Sequence, residues 1–145
     1  MKKSKFEIQL RLREGYPGPI HFADFKIDGQ SLYDRYVKEF DFVSCLGWGS
    51  EKFQQEHIGR LILQGKPDFE NGKNSIYICP ACADLGCGAV SVIIEMDDDI
   101  VTWSCLEGGG ELLDSRKQFH FDKESYVEQI TSTLGLGGFG FPWTN

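Results

Sequence analysis

Near the start of the chain, apolar and polar residues alternate over two segments. Every second residue is apolar from Phe6 to Leu12, which is the period of a strand with one buried face. The run 15–19 is rich in glycine and proline and breaks the pattern. Alternation resumes over 21–27 and stops at the turn-forming pair Asp28-Gly29. The pattern predicts a β-hairpin.

Three later segments have apolar residues at spacings of three and four, as an amphipathic helix requires. Ser31 is the predicted cap of the first, which ends near Asp41. Ser50 is the predicted cap of the second, which stops at 65–67, and Asp122 caps the third, which ends at Gly135. The segment 42–48 between the first two is apolar and glycine-punctuated.

The second half of the chain also has strand character. Apolar, β-branched and aromatic residues dominate 76–78, 89–95, 100–106 and 119–121. The three aspartates 97–99 predict a tight, solvated hairpin turn between the second and third of these strands. The chain 1–145 is therefore predicted to be a single α+β domain with an antiparallel sheet of about five or six strands and two or three helices. The aromatic tail 137–145 is either loosely packed or docked on the sheet, and we expect docking.

The charge of the chain limits its partners. Its 22 acidic residues outnumber 15 basic ones and give a net charge of -7, which repels nucleic-acid phosphates and anionic lipids. No apolar run approaches the roughly 20 residues that cross a bilayer, and the first residues lack the apolar block of a signal peptide. We therefore expect a cytoplasmic protein that binds neither nucleic acid nor membrane, and a partner with a basic surface.

Four of the five cysteines lie between 79 and 105, and they define the candidate metal site. The candidate zinc ligands are Cys79, Cys82, Cys87 and Cys105. A Cys-Pro-Ala-Cys turn is a common start of a zinc site, but one such pair supplies only two ligands. The predicted hairpin places Cys105 opposite Val90 or Val92, roughly 10 Å or more beyond Cys87. Zinc needs each sulfur about 2.3 Å away, so zinc is an alternative and not the favoured interpretation.

A redox role for the same Cys-x-x-Cys pair is the second alternative. A reactive pair of this kind lowers its thiol pKa by lying at a helix N-terminus. Here the residues after Cys82 are turn-like, and a carboxylate at Asp84 raises the pKa of a nearby thiol. Thiols packed as small apolar side chains are the favoured interpretation.

Other residues that invite a catalytic interpretation have simpler explanations. His57 lies on an apolar helical stripe, as a satisfied core histidine does, and no serine or carboxylate can be tied to His21 or His120. The glycines 108–110 lack the lysine and hydroxyl residue of a phosphate-binding loop and lie between acidic residues. The sequence therefore does not favour an enzyme.

The segment 76–90 (IYICPACADLGCGAV), together with Leu46-Gly47-Trp48-Gly49 and Val101-Thr102-Trp103, resembles a family of small uncharacterised bacterial proteins. The resemblance extends over most of the chain. The positions that match the family pattern are Cys79, Cys82, Asp84, Leu85, Gly86, Cys87 and Gly88. The resemblance implies a bacterial origin and no defined activity. It makes Asp84, Gly86 and Gly88 a candidate functional corner, although backbone shape alone also explains the two glycines.

Acidity, small size and the lack of a catalytic constellation together favour non-enzymatic binding of another protein. An accessory or immunity-type protein that masks a basic partner fits these features. The first alternative is a zinc-stabilised binding domain that uses Cys79, Cys82 and Cys87. The second is a thiol-disulfide redox protein. The sequence predicts no oligomeric state.

Overall fold

Two antiparallel sheets form the β part of the protein, of which a computed structural model describes residues 2–81, 88–116 and 118–143. Strands β1 (Phe6–Arg13) and β2 (Ile20–Ile27) form the first predicted hairpin. After the turn at Asp28-Gly29, the short strand β3 (Gln30–Ser31) pairs with the other side of β2. These strands form a three-stranded sheet in which β1 is an edge strand.

The second sheet has six strands. They are β4 (Val43–Ser44), β5 (Asn74–Ile78), β6 (Ala89–Met96), β7 (Ile100–Gly108), β8 (Glu111–Leu112) and β9 (Gln118–Asp122), and both β8 and β9 pair with β7. The predicted acidic turn joins β6 to β7, because the Asp97 N–H donates to the carbonyl of Ile100 at 3.0 Å. The α+β class and the antiparallel six-stranded sheet are thus confirmed, while the first hairpin lies in a sheet of its own.

Two α-helices begin where the sequence predicts. In α1 (Glu51–Leu61) the Ser50 hydroxyl accepts from the backbone N–H of Phe53, and in α2 (Lys123–Thr131) the Asp122 carboxylate accepts from that of Ser125. Both helices end earlier than predicted. The backbone of Leu63 adopts a left-handed φ of 61°, which is incompatible with further α-helix.

The predicted helix at 31–41 is not an α-helix. It is a π-helical turn (Tyr33–Val37) followed by a 3-10 turn (Lys38–Phe40), and Asp41 ends it with a φ of 57°. Ser31 lies in β3, although its hydroxyl still accepts from the N–H of Asp34 at 3.0 Å. Contacts with the first sheet hold this segment and override its local helical pattern.

The two sheets face each other across an aromatic core. The ring of Phe25 from the first sheet lies 5.5 Å from that of Trp103 and 5.6 Å from that of Tyr77 in the second. Single backbone hydrogen bonds join the sheets on both sides. The Ala23 N–H donates to Leu46 at 3.0 Å, and the Ser4 N–H donates to His120 in β9 at 2.7 Å.

The described part of the tail lies against the loop before α1. The Gly137 N–H donates to the carbonyl of Gly47, and Gly140 forms a bridge with Gly49. The ring of Phe141 lies 5.2 Å from that of Phe53. In the described part of the chain, no helix has the length and apolarity needed to cross a membrane.

Candidate functional site

The Cys-x-x-Cys segment starts directly after β5. Cys79 is half-buried and Pro80 is buried. Four of the predicted site residues, Cys82, Asp84, Gly86 and Cys87, lie outside the described residues, so the roles assigned to them stay predictions. Gly88 is described and has a φ of 100°, a conformation that favours glycine. Backbone shape therefore accounts for Gly88.

Cys105 lies on a bulge in β7. Ile93 of β6 pairs with Ser104 of β7, and Ser91 pairs with Glu107. Two residues of β7, Cys105 and the one after it, therefore lie opposite the single residue Val92. Cys105 has a left-handed φ of 57° and is half-buried. The bulge is a tertiary feature that the hairpin pattern does not encode.

The strand pairing separates Cys105 from Cys79. The whole of β6 lies between their strands, and they are offset along the sheet by three or more residues, which places their Cα atoms roughly 14 Å apart. Sulfurs that bind one tetrahedral zinc are about 4 Å apart. This separation argues against a site that includes both cysteines. Among the described residues, no three His, Cys, Asp or Glu side chains are grouped to hold a metal ion.

The fifth cysteine, Cys45, is fully buried. Its sulfur lies 3.7 Å from the carbonyl oxygen of Ser75. Burial raises the pKa of the Cys45 thiol to about 11. At neutral pH the thiol is protonated and is a poor nucleophile.

His57 belongs to a buried polar network at the end of α1. Its Nδ1 lies 2.5 Å from the guanidinium of Arg60, which also donates to Asn74 and to the carbonyl of Ser75. Burial, together with the charge of Arg60, lowers the pKa of His57 to about 3. The imidazole is therefore neutral and engaged with its neighbour, which is a structural role.

A second buried network, absent from the sequence prediction, surrounds the carboxylate of Asp24. It accepts from the hydroxyls of Tyr77, at 2.6 Å, and Ser31, and from the N–H of Phe25 at 2.9 Å. Burial raises the pKa of Asp24, while these hydrogen bonds oppose the rise. Arg11, 3.4 Å away, forms a salt bridge with Asp24. The network ties β1, β2, β3 and β5 together.

The outer edge of β1 has backbone groups without a partner in the described structure. Two contacts fix its direction: the N–H groups of Ser4 and Ile8 both point away from β2, to His120 in β9 and to the side chain of Gln129 in α2. Backbone groups alternate along a strand, so those of Leu10 and Leu12 also point outward. Among the described residues, nothing pairs with these outward groups of Leu10 and Leu12.

The side chains of the same two leucines are exposed, by 44% for Leu10 and 47% for Leu12. The alternation places them on the same face of β1 as Phe6, which is buried at 3%. The prediction of one face was correct, but only its first half is covered. Periodicity identifies the face of a strand and not the length over which another element covers it.

Two further exposed leucines, Leu134 and Leu136, lie in the chain after α2 and are 41% and 39% exposed. This stretch leads from Gln129, which contacts Ile8 of β1, to Gly137, which lies against the carbonyl of His21 on the side of β2 that faces away from β1. We call the exposed apolar side chains of Leu10 and Leu12 the leucine surface. An exposed apolar surface beside unpaired strand groups is suited to binding an extended peptide.

Comparison of the chain with protein-family models, curated proteins and solved structures found no match.

Proposed function

We propose that the protein binds another protein without catalysis, by pairing an extended segment of that partner with the outer edge of β1. One observation carries the proposal: the residues with outward, unpaired backbone groups, Leu10 and Leu12, also have exposed apolar side chains. Backbone hydrogen bonds supply affinity in such pairing, and the side chains of alternate residues supply specificity. An open edge with apolar side chains is otherwise an aggregation hazard.

The surroundings of this edge indicate the chemistry of the partner. Residues on the leucine side of an added strand need apolar side chains to contact the leucine surface. On the opposite face, the cations of β1 are already matched, because Arg11 pairs with Asp34 at 2.7 Å and Arg13 with Asp41 at 2.6 Å. The exposed acidic side chains of Glu14 and Glu128 and the net charge of -7 favour a basic segment.

The described titratable groups support a binding role over catalysis. Cys45 is buried with a protonated thiol, and His57 is a neutral partner of Arg60. Asp24 is buried and its oxygens accept several hydrogen bonds. Each of these groups has a structural partner, and an accessory or immunity-type role is consistent with this arrangement.

The proposal is tested with random decapeptides displayed on phage and selected against the immobilised protein. We expect selected sequences to alternate apolar residues with others and to be rich in lysine and arginine. Leu12→Lys should weaken binding of the synthetic peptides about tenfold or more, the size expected for lost apolar contact at an interface. Leu112→Lys changes a 65% exposed leucine elsewhere on the protein and should leave binding unchanged.

A backbone control distinguishes strand pairing from nonspecific apolar binding. Two forms of a selected peptide are compared, one N-methylated at its odd residues and one at its even residues. An N-methylated residue cannot donate a backbone hydrogen bond, so only the form methylated at the residues that face β1 should lose affinity. Equal binding of both methylated forms, or equal binding to Leu12→Lys and the unsubstituted protein, would exclude the proposed edge.

A further inference from the structure

Gln129 occupies the outer edge of β1 immediately before its open section. This residue lies on α2, is half-buried, and accepts a hydrogen bond from the N–H of Ile8 through its side-chain oxygen at 3.0 Å. The amide oxygen thus takes the place that a carbonyl of an added strand would take. The section with exposed leucines, Leu10 and Leu12, begins directly after this contact.

We infer that Gln129 keeps the protein monomeric by occupying a backbone donor that a second copy of β1 would need. An alternating strand with an open edge is self-complementary, because two copies that pair antiparallel bring their apolar faces together. The N–H of Ile8 is needed in the registers in which two copies of β1 would pair best.

In a two-fold antiparallel pair, the two residue numbers that face each other have a constant sum. The register centred on Leu10 sets Leu10 against Leu10 of the second copy, and Ile8 against Leu12. All of these side chains belong to the apolar face, and about six backbone hydrogen bonds would form. One bond from Ile8 of each copy is lost when Gln129 holds that N–H.

The other registers are unfavourable for different reasons. Centring on Gln9 sets Ile8 against Leu10 and again requires the Ile8 N–H. Centring on Arg11 avoids Ile8 but sets Arg11 against Arg11, with Cβ atoms about 4.5–5.5 Å apart. Like charges in that position destabilise a sheet, and the ion pair of each Arg11 with Asp34 offsets this repulsion only in part. Centring on Leu12 sets Arg11 against Arg13. Charge repulsion between arginines therefore disfavours the registers centred on Arg11 and Leu12, and Gln129 disfavours those centred on Gln9 and Leu10.

A foreign strand is not subject to the same restrictions. It can pair with Leu10 and Leu12 alone, place an uncharged or acidic residue opposite Arg11, and carry its basic residues at other positions. The edge is thus open to a partner of suitable sequence and closed to a second copy. The inference can be tested without any partner, so its outcome is independent of peptide binding.

The test is the oligomeric state of Gln129→Met, measured by sedimentation over a wide range of protein concentration. Methionine keeps the length and helix propensity of glutamine but is only a weak acceptor. We expect the unsubstituted protein to be monomeric and Gln129→Met to dimerise. The dimer dissociation constant should fall at least roughly tenfold, since each restored hydrogen bond contributes a factor of about 3 to 10 and the two-fold axis restores one in each copy.

Two controls locate the effect. Gln55→Met places the same side chain on the exposed surface of α1 and should stay monomeric. Adding Leu10→Lys to Gln129→Met sets two lysines against each other in the central register and should abolish the dimer. Gln129→Ser, which is too short to reach Ile8, should dimerise like Gln129→Met without adding apolar surface.

Three outcomes overturn the inference. The first is a Gln129→Met or Gln129→Ser protein that is folded by circular dichroism and remains monomeric. The second is a dimer that persists when Leu10→Lys is added. The third is a dimer of the unsubstituted protein with the same dissociation constant.

Discussion

The hydroxyl of Tyr77 donates a hydrogen bond of 2.6 Å to the carboxylate of Asp24 across the interface between the two sheets. Both side chains are fully buried. Burying a carboxylate without hydrogen-bond donors costs free energy. The hydroxyl of Tyr77 supplies one such donor from the second sheet, so this hydrogen bond helps to hold the two sheets together. Arg11 links the same network to the edge strand. The edge that we propose as the binding site is therefore anchored to the core.

Replacing Tyr77 by phenylalanine removes this donor and keeps the ring. We expect the free energy of unfolding to fall by about 1–3 kcal/mol, since the hydrogen bond is buried and its acceptor is charged. Urea denaturation measures the change. Tyr16→Phe is the control: this side chain is 82% exposed, and its loss of the hydroxyl should change stability by less than about 0.5 kcal/mol. Equal effects of the two substitutions would contradict the network.

Asp24 also predicts a pH dependence of stability. Burial raises its pKa in the folded protein above the ordinary value of 3.8. The folded state therefore holds the proton more tightly than the unfolded state, and this contribution to stability is lost as pH rises from 3.8 through the folded-state pKa. In Asp24→Asn the contribution is absent. The unfolding free energy of the unsubstituted protein, minus that of Asp24→Asn, should thus decrease over that range. A difference that increases with pH would mean that the pKa of Asp24 is lowered in the folded protein.

Cys45 predicts an unreactive thiol. Its pKa of about 11 and full burial leave almost no accessible thiolate at neutral pH. Iodoacetamide followed by peptide mass spectrometry should modify the half-buried Cys105 well before Cys45 in the native protein. In denaturant the two should react at similar rates. Rapid native alkylation of Cys45 would show that the core around α1 opens frequently.

Local features of the fold could be predicted from the sequence. The strand β1, the turn at 97–99 and the helix caps at Ser50 and Asp122 depend on neighbouring residues, and all appear in the structure. The helical turns at 33–40 were predicted with the wrong geometry. Contacts with Arg11, distant in the sequence, hold that segment.

The candidate site could be predicted only in part. Alternation correctly gave Leu10 and Leu12 the same face as Phe6, but it does not show how far along β1 that face is covered. The sequence pattern also placed the end of α2 four residues too late. The contact from Gln129 to Ile8 spans 121 residues, and no local signal marks it. The Cys-x-x-Cys motif is compact and visible in the sequence, whereas the bulge that holds Cys105 appears only in the strand pairing.

Substitution by alanine should have opposite effects on stability at Gly137 and Gly59. A Cβ at Gly137 would overlap the carbonyl oxygen of His21 and lie 2.6 Å from that of Gly47, so Gly137→Ala should destabilise the protein by about 1–3 kcal/mol and loosen the stretch that includes Leu136. Gly59 lies in α1 with nothing within 4 Å of its Cβ position, and Gly59→Ala should stabilise by about 0.5–1 kcal/mol. Thermal denaturation compares them. A neutral Gly137→Ala would mean that the stretch after α2 does not lie against His21.

Amide hydrogen exchange of the free protein tests the edge of β1 residue by residue. The N–H groups of Gln9 and Arg11 point toward β2 and should exchange slowly. Those of Leu10 and Leu12 point outward and should exchange at least about 100-fold faster, which corresponds to a difference of about 2.7 kcal/mol in opening free energy. Ile8 should be slow because Gln129 holds its N–H, and should become fast in Gln129→Met at a concentration where that variant is monomeric. If Leu10 and Leu12 exchange as slowly as their neighbours, another group already covers the edge and it is not available to a partner strand.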